Sequence, residues 1–333
     1  MRLRGRSVVV SAGAFVALAA LVACDAANVS PEADQPPSVS ASPTTSRPTP
    51  EPPEPAEPVT IVAVGDIACD PTSPYYKGMP GFCEHEGVAR QVGQLVGEGA
   101  EWFIPLGDIQ YENAEYSAFR EVYDKSFGRF KDITEPVAGN HEWYTEGASG
   151  YFRYFGKAAG TPEQPWRSFS PMKGWRILLL DSNCEFVGGC EPTSPQGRWI
   201  KATMKAHPTD CVLAAWHHPL RTSGEYYGIT DSSDRAAELW ESAKAVGVDV
   251  VLNGHDHLYE RFKPLGGIQQ FTVGTGGKNP NEVVNRIPGS QKSISDRYGV
   301  LALTMNADST YSFRFVASNG DVLDQGKGSC ANK

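Results

Sequence analysis

Five short polar clusters in this chain combine residue types that can do chemistry: Gly65-Asp66, Gly107-Asp108, Gly139-Asn140-His141, His217-His218 and Gly254-His255-Asp256-His257. Carboxylate, imidazole and amide oxygen together form the donor set of hard-to-borderline metal ions. Five of the seven histidines fall in these clusters, so the imidazoles are concentrated where the acids are. His255 and His257, at i and i+2 in a tight loop, are spaced to reach adjacent ions. A single Gly-Asp after a strand is often no more than a turn, and the signal lies in the ordered series. His85 and His207 have no ligand neighbours in sequence and read as surface or capping residues.

The clusters need elements to hold them, and the hydrophobic pattern supplies these. Short apolar runs at Val59–Val64, Trp102–Leu106, Trp175–Leu180, Cys211–Trp216 and Val248–Leu252 predict strands. Amphipathic runs at Gly87–Val96, Tyr116–Phe127, Gln196–Ala206 and Ser233–Val246 predict helices. Further strands are expected at Gln270–Val273, Val300–Met305 and Tyr311–Val316, with antiparallel pairing where helical patterns give out. Alternating strands and helices argue an α/β layered fold. Each cluster follows an apolar run, with Val137-Ala138 preceding Gly139, and ligand sites in such sheets form outside the carboxyl ends of the strands. The glycine before each acid or amide is expected to let the chain turn sharply there.

Taken in order, Gly65-Asp66, Gly107-Asp108-x-x-Tyr111, Gly139-Asn140-His141-Glu142, His217-x-Pro219 and Gly254-His255-x-His257 resemble the motifs of the calcineurin-like metallophosphoesterases. Tyr111 and the extension Tyr259-Glu260-Arg261 resemble the purple acid phosphatases in particular, and their compact single-domain members, over roughly residues 60–280. The resemblance implies a layered β-sandwich flanked by helices, with the metal site at the C-terminal ends of the strands. It implies two ions: one held by Asp66, Asp108, Tyr111 and His257, the other by Asp108, Asn140, His217 and His255, with Asp108 bridging. Two carboxylates and a phenolate suit Fe(III), and the more neutral second set suits Zn(II), Mn(II) or Fe(II). The expected reaction is hydrolysis of a phosphate monoester by in-line attack of hydroxide generated at the metal pair. A phosphodiesterase or nucleotidase using the same site is the alternative. His141 is expected beside the phosphate as a catalytic group rather than a ligand, and Glu142 near it in an unassigned direction. The family's further histidine after His-x-Pro is absent, and Tyr226 and Tyr227 occupy that stretch. His218 is the candidate to take its place if it turns inward, and Arg221 is a further candidate phosphate contact, read in preference as a surface arginine. A metallo-β-lactamase-like site would need a His-x-His-x-Asp-His cluster, which the chain lacks. A tethered binding module would need a degraded site, and no expected ligand is missing.

The ends bound where this chemistry takes place. Arg2, Arg4 and Arg6 precede an apolar run over 8–22 that is too short for a comfortable membrane span and leads into Leu21-Val22-Ala23-Cys24. This pattern resembles a bacterial lipobox, which implies cleavage before Cys24 and lipid attachment to it. Residues 25–58 carry ten prolines and no aromatic residue, the composition of an extended linker. Residues 59–333 then form the catalytic domain. Without residues 1–23 the chain has 27 basic and 39 acidic residues, net −12, which argues against nucleic acid or anionic lipid as the main partner. The expected partners are a phosphate ester and, through Cys24, a membrane, with the chain read as an extracytoplasmic monomer. The six remaining cysteines, an even number, point to disulfides. Several pairings are open. The short glycine-containing loop favours Cys184–Cys190, and Cys69–Cys83 and Cys211–Cys330 would follow.

Overall fold

A computed structural model describes residues 56–70, 72–73, 82–228 and 230–331, the side chains of 230–235 excepted. The expected export signal, Cys24 and the proline-rich linker up to residue 55 lie outside the described residues. So does most of the segment between Cys69 and Cys83.

Twelve strands are present among the described residues: β1 (Val59–Val64), β2 (Ala100–Pro105), β3 (Arg167–Phe169), β4 (Trp175–Leu179), β5 (Cys211–Ala215), β6 (Val250–Asn253), β7 (Tyr259–Phe262), β8 (Gln269–Val273), β9 (Ser290–Ile294), β10 (Gly299–Met305), β11 (Thr310–Ala317) and β12 (Val322–Ser329). They form two sheets, ordered β12-β11-β10-β1-β2 and β3-β4-β5-β6-β8-β7-β9. β1 and β2 are parallel and are joined through the helix His85–Gly97. β4, β5, β6 and β8 are parallel too. All five residues of β5 are buried, as expected of a parallel strand covered on both faces. The antiparallel pairing expected near the end is found in β10, β11 and β12.

The sheets pack through aromatic side chains. Tyr259 stacks on Phe315 with ring centroids 4.1 Å apart, and Phe271 meets Phe313 at 4.8 Å, each contact joining one sheet to the other. Arg261 on β7 adds a fork to Asp324 on β12, with N–O distances of 2.8 and 3.1 Å. Helices Pro195–Ala206 and Thr230–Ala245 flank this sandwich. The layered sandwich with flanking helices is therefore the observed fold.

Two expectations require correction. The helix expected over Tyr116–Phe127 is α-helical only at Tyr116–Ala118 and Asp124–Ser126, with a π-helical turn over Phe119–Tyr123 between them. Gln110 Oε1 accepts the Tyr123 N–H at 3.1 Å, and a side chain that enters the backbone ladder in this way distorts a helix. Val137-Ala138 is not a strand: it makes a single parallel bridge, Val137 to Leu106, just beyond the end of β2. The three disulfides are Cys69–Cys83, Cys184–Cys190 and Cys211–Cys330, with Cα atoms 5.2–5.7 Å apart.

Candidate metal centre

β1 and β2 belong to one sheet and β5 and β6 to the other, and the loops after all four meet at one edge of the sandwich. The Gly65 N–H donates to Val273 O at the end of β8, and the Gly254 N–H donates to His217 O. The first bond joins a loop of one sheet to the other sheet, and the second ties together two loops of the same sheet.

Asp66, Asp108 and His255 have φ values of 61°, 47° and 70°, in the left-handed region that ordinary residues avoid. The sharp turns thus fall largely on the site residues rather than on the glycines before them, and such strain clusters at functional sites. Gly107, with φ 85°, does turn the chain as expected, and a Cβ there would lie 2.6 Å from His217 Nδ1; two other glycines matter for close approach alone. A Cβ on Gly139 would lie 2.2 Å from Asp108 Oδ1, and one on Gly254 would lie 2.7 Å from Asp66 Oδ2.

The side chains converge. Tyr111 Oη lies 3.0 Å from Asp66 Oδ1, 3.2 Å from Asp108 Oδ2 and 3.1 Å from His257 Nε2. Asp108 Oδ2 is also 3.3 Å from His217 Nε2, which is 3.2 Å from His255 Nδ1. One carboxylate oxygen is therefore shared by the two groups. The remaining carboxylate oxygens are occupied: Asp66 Oδ2 accepts the His255 N–H at 2.8 Å and Asp108 Oδ1 the His141 N–H at 2.9 Å. His217 Nδ1 donates to Leu106 O and His257 Nδ1 to Asn279 O, an arrangement that turns both Nε2 atoms toward the carboxylates.

The donor set fits metal ions. Asn140 Oδ1 is buried with no hydrogen-bond partner, while its Nδ2 donates to Tyr144 Oη at 3.1 Å. A buried amide oxygen left unsatisfied is costly, and a cation would satisfy it. Burial, together with the Asp108 and Asp66 carboxylates, raises the Tyr111 hydroxyl well above the usual phenol range, so it becomes a ligand only against a cation that offsets them. Burial lowers His255 well below its ordinary value, aided by His218 and His217, and leaves it a neutral imidazole suited to ligation.

His141 stands beside this cluster. Its Nδ1 donates to Glu112 O, its Nε2 is 3.8 Å from Asp108 Oδ2, and its side chain is partly exposed. His218 is turned inward and buried, its Nδ1 2.7 Å from Ser182 Oγ and its ring 4.4 Å from that of His255. The two tyrosines separate: the Tyr226 ring packs on His255 at 4.0 Å, whereas Tyr227 is about half exposed. Arg221 donates to Lys263 O, 3.1 Å away. His85 is a correction, since it is buried at the start of the helix His85–Gly97 rather than lying on the surface.

Sequence reasoning left Glu142 undirected and passed over the segment after β4. Glu142 is fully buried and accepts the backbone N–H groups of Asp108, Ile109, Gln110 and Gly139 at 2.8, 2.8, 3.4 and 2.7 Å. It ties the loop after β2 to the Asn140 loop. Asp181, Ser182 and Asn183 form a sixth polar cluster at a strand end, with Asp181 Oδ2 accepting from Trp143 Nε1 at 3.0 Å and Ser182 orienting His218. The signal was position: this cluster follows an apolar strand as the other five clusters follow apolar runs.

Residues 59–259 match the family described as calcineurin-like phosphoesterase. Tartrate-resistant acid phosphatase type 5 of Mus musculus is 26% identical over 249 residues, covering 65% of this chain and 71% of that protein. Purple acid phosphatase 22 of Arabidopsis thaliana is 26% identical over 250 residues, covering 66% of this chain and 50% of that protein. The chain thus spans about half the length of this plant relative. Among solved structures, the purple acid phosphatase PPD1 of yellow lupin (Lupinus luteus) superposes with a TM-score of 0.65 at 20% identity, covering 82% of this chain and 54% of that one. GAP50, described as the anchor in the inner membrane complex of Plasmodium, superposes with a TM-score of 0.62 at 16% identity, covering 83% and 90%. At such identities the superpositions show a shared fold.

Proposed function

The chain belongs to the calcineurin-like phosphoesterase family, and from that premise we propose that it is a phosphohydrolase that uses two metal ions to cleave phosphate monoesters outside the cytoplasm. The observation that carries this reading is the shared Asp108 Oδ2, 3.2 Å from Tyr111 Oη on one side and 3.3 Å from His217 Nε2 on the other. Asp66, Asp108, Tyr111 and His257 would hold one ion, and two carboxylates with a phenol suit Fe(III). Asp108, Asn140, His217 and His255 would hold the other, a set suited to Zn(II), Mn(II) or Fe(II). When bound, such a pair supplies positive charge that clamps phosphoryl oxygens and acidifies an attacking water.

The chain's own residues do the rest. Glu142 fixes Asp108 and the Asn140 loop through four backbone bonds, so the donors are positioned before any ligand arrives. His141, anchored through Nδ1, directs Nε2 into the cleft, where it can hold a proton for the leaving oxygen or stabilise charge in the transition state. His218, oriented by Ser182, is the second candidate for that proton. Burial and the nearby carboxylates keep the Tyr226 phenol protonated, so it acts as a hydrogen-bond donor and not as a proton shuttle.

The phosphatase names of the curated relatives support this chemistry. The convergence of the Asp66, Asp108, Tyr111, His217, His255 and His257 side chains supports it as well. Three disulfides support an oxidising compartment. Export through residues 1–23, lipid attachment at Cys24 and a proline-rich linker before the catalytic domain complete the proposal.

Turnover of 4-nitrophenyl phosphate and of its bis ester by the metal-loaded protein tests it. The monoester is expected to have at least about tenfold the kcat/KM of the diester. Faster diester cleavage would make the protein a phosphodiesterase, and turnover of neither would remove the enzymatic reading.

A further inference from the structure

The mouth of the metal centre carries aromatic rings that the hydrolysis itself does not use. Among the described residues, Phe82, Tyr144, Phe186 and Tyr227 are the aromatic side chains left exposed, and Tyr144 packs directly on a histidine of the site. Tyr144 is 58% exposed, and its ring lies on His141 with centroids 4.6 Å apart. Phe186 lies parallel to Trp143 at 5.0 Å, two residues along from His141. Tyr227 follows Tyr226, whose ring covers His255. Tyr144 and Tyr226 thus cover two different histidines of the site, His141 and His255, from different loops. Beyond Tyr226 a cavity of about 240 Å³ continues, with Leu220, Tyr227 and Ile287 in its walls and no carboxylate among the described residues that line it.

Exposed aromatic surface grouped around a polar centre marks a contact surface rather than chance exposure. With the phosphoryl group held by the cations the metal ligands would bind, the part of an ester that emerges between these rings is its alcohol. Flat rings meet aromatic side chains in offset or edge-to-face pairs, which stabilise beyond simple burial. We propose that Tyr144 and Tyr226 bracket the alcohol portion of the ester and select a flat aromatic alcohol over a short aliphatic one. The proposal rests on the phosphohydrolase reading above and adds specificity residues to it.

Phenylphosphonate and methylphosphonate separate ring recognition from leaving-group reactivity, because neither C–P bond is cleaved by phosphoester hydrolysis. Both would be titrated calorimetrically into the metal-loaded full chain. The phenyl compound is expected to bind about tenfold tighter than the methyl compound. Tyr144→Leu and Tyr226→Leu should each reduce that ratio at least about threefold, while Tyr144→Phe, which keeps the ring and removes the hydroxyl, should preserve it. If Tyr144 served only to hold the Asn140 amide, Tyr144→Phe and Tyr144→Leu would weaken both phosphonates together and leave the ratio unchanged. That result overturns the proposal, as does a wild-type ratio near unity, and in both cases the phosphohydrolase reading survives. Binding of neither phosphonate overturns both.

Discussion

At the scale of single residues, ligands and catalytic groups were legible to different degrees. Asp66, Asp108, Asn140, His217, His255 and His257 declared themselves by type and by position after apolar runs, and the structure brings them together. Tyr144 and Ser182 did not, because a lone tyrosine or serine carries no spacing signal, and their partners, Asn140 and His218, are revealed only by folding. The same geometry separates roles. His141 touches Asp108 at 3.8 Å through Nε2 but commits Nδ1 to a carbonyl. His141→Ala should therefore lower kcat about 10²–10⁴-fold while metal content per chain stays at the wild-type value. Loss of metal in that variant would make His141 a ligand. Asp181 offers a test that is independent of catalysis. Burial pushes its carboxyl up to about 6, against the hydrogen bonds from Asn183 and Trp143 that favour the charged form. An acid raised in this way adds stability below its unfolded value of 3.8 and loses it as pH climbs through its folded value. The unfolding free energy of the wild type relative to Asp181→Asn should fall between about pH 4 and pH 6, by up to about 3 kcal/mol, and level off above. A difference that grows with pH would show that the carboxyl is depressed instead.

At the scale of elements, β1, β5, β10 and β11 were readable because their apolar runs are bounded by turn residues. β12 was not: Val322–Ser329 contains Gly326 and Gly328 and has no apolar alternation. It is ordered by its neighbour, since Phe313 and Tyr311 of β11 lie over the positions where those glycines lack side chains. β3 and β9 are short or polar and form only as edge partners of stronger strands. The glycines of the site motifs were read as turn formers, and Gly107 is one, yet the structure also places positive φ on Asp66, Asp108 and His255 and uses Gly139 and Gly254 for close approach. Glu142 shows how loops are held as one piece. Glu142→Gln would put an N–H pair where Glu142 turns both oxygens toward backbone donors. It should cost about 2–4 kcal/mol in urea unfolding and weaken metal binding with it. A variant as stable as the wild type would mean that the loops are positioned by something else.

At the scale of the whole molecule, the proposed metal centre draws on two sheets that end at one edge. Each sheet supplies part of the donor set: Asp66 and Asp108 follow β1 and β2, His217, His255 and His257 follow β5 and β6, and neither sheet holds a complete group alone. The α/β class and the presence of disulfides were legible in the sequence, with Cys184–Cys190 the favoured pair, whereas the full connectivity is settled only by the fold. The face-to-face packing of the sheets was not legible, since Tyr259 with Phe315 and Phe271 with Phe313 are contacts between residues far apart in the chain. The central claim is that the shared Asp108 oxygen joins two metal sites. Elemental analysis of the purified full chain, referenced to protein concentration, tests it most directly. About two ions per chain are expected, falling well below one in Asp108→Ala. A wild-type value of about one ion or fewer after loading with excess metal, or an Asp108→Ala variant that keeps two, would contradict the account.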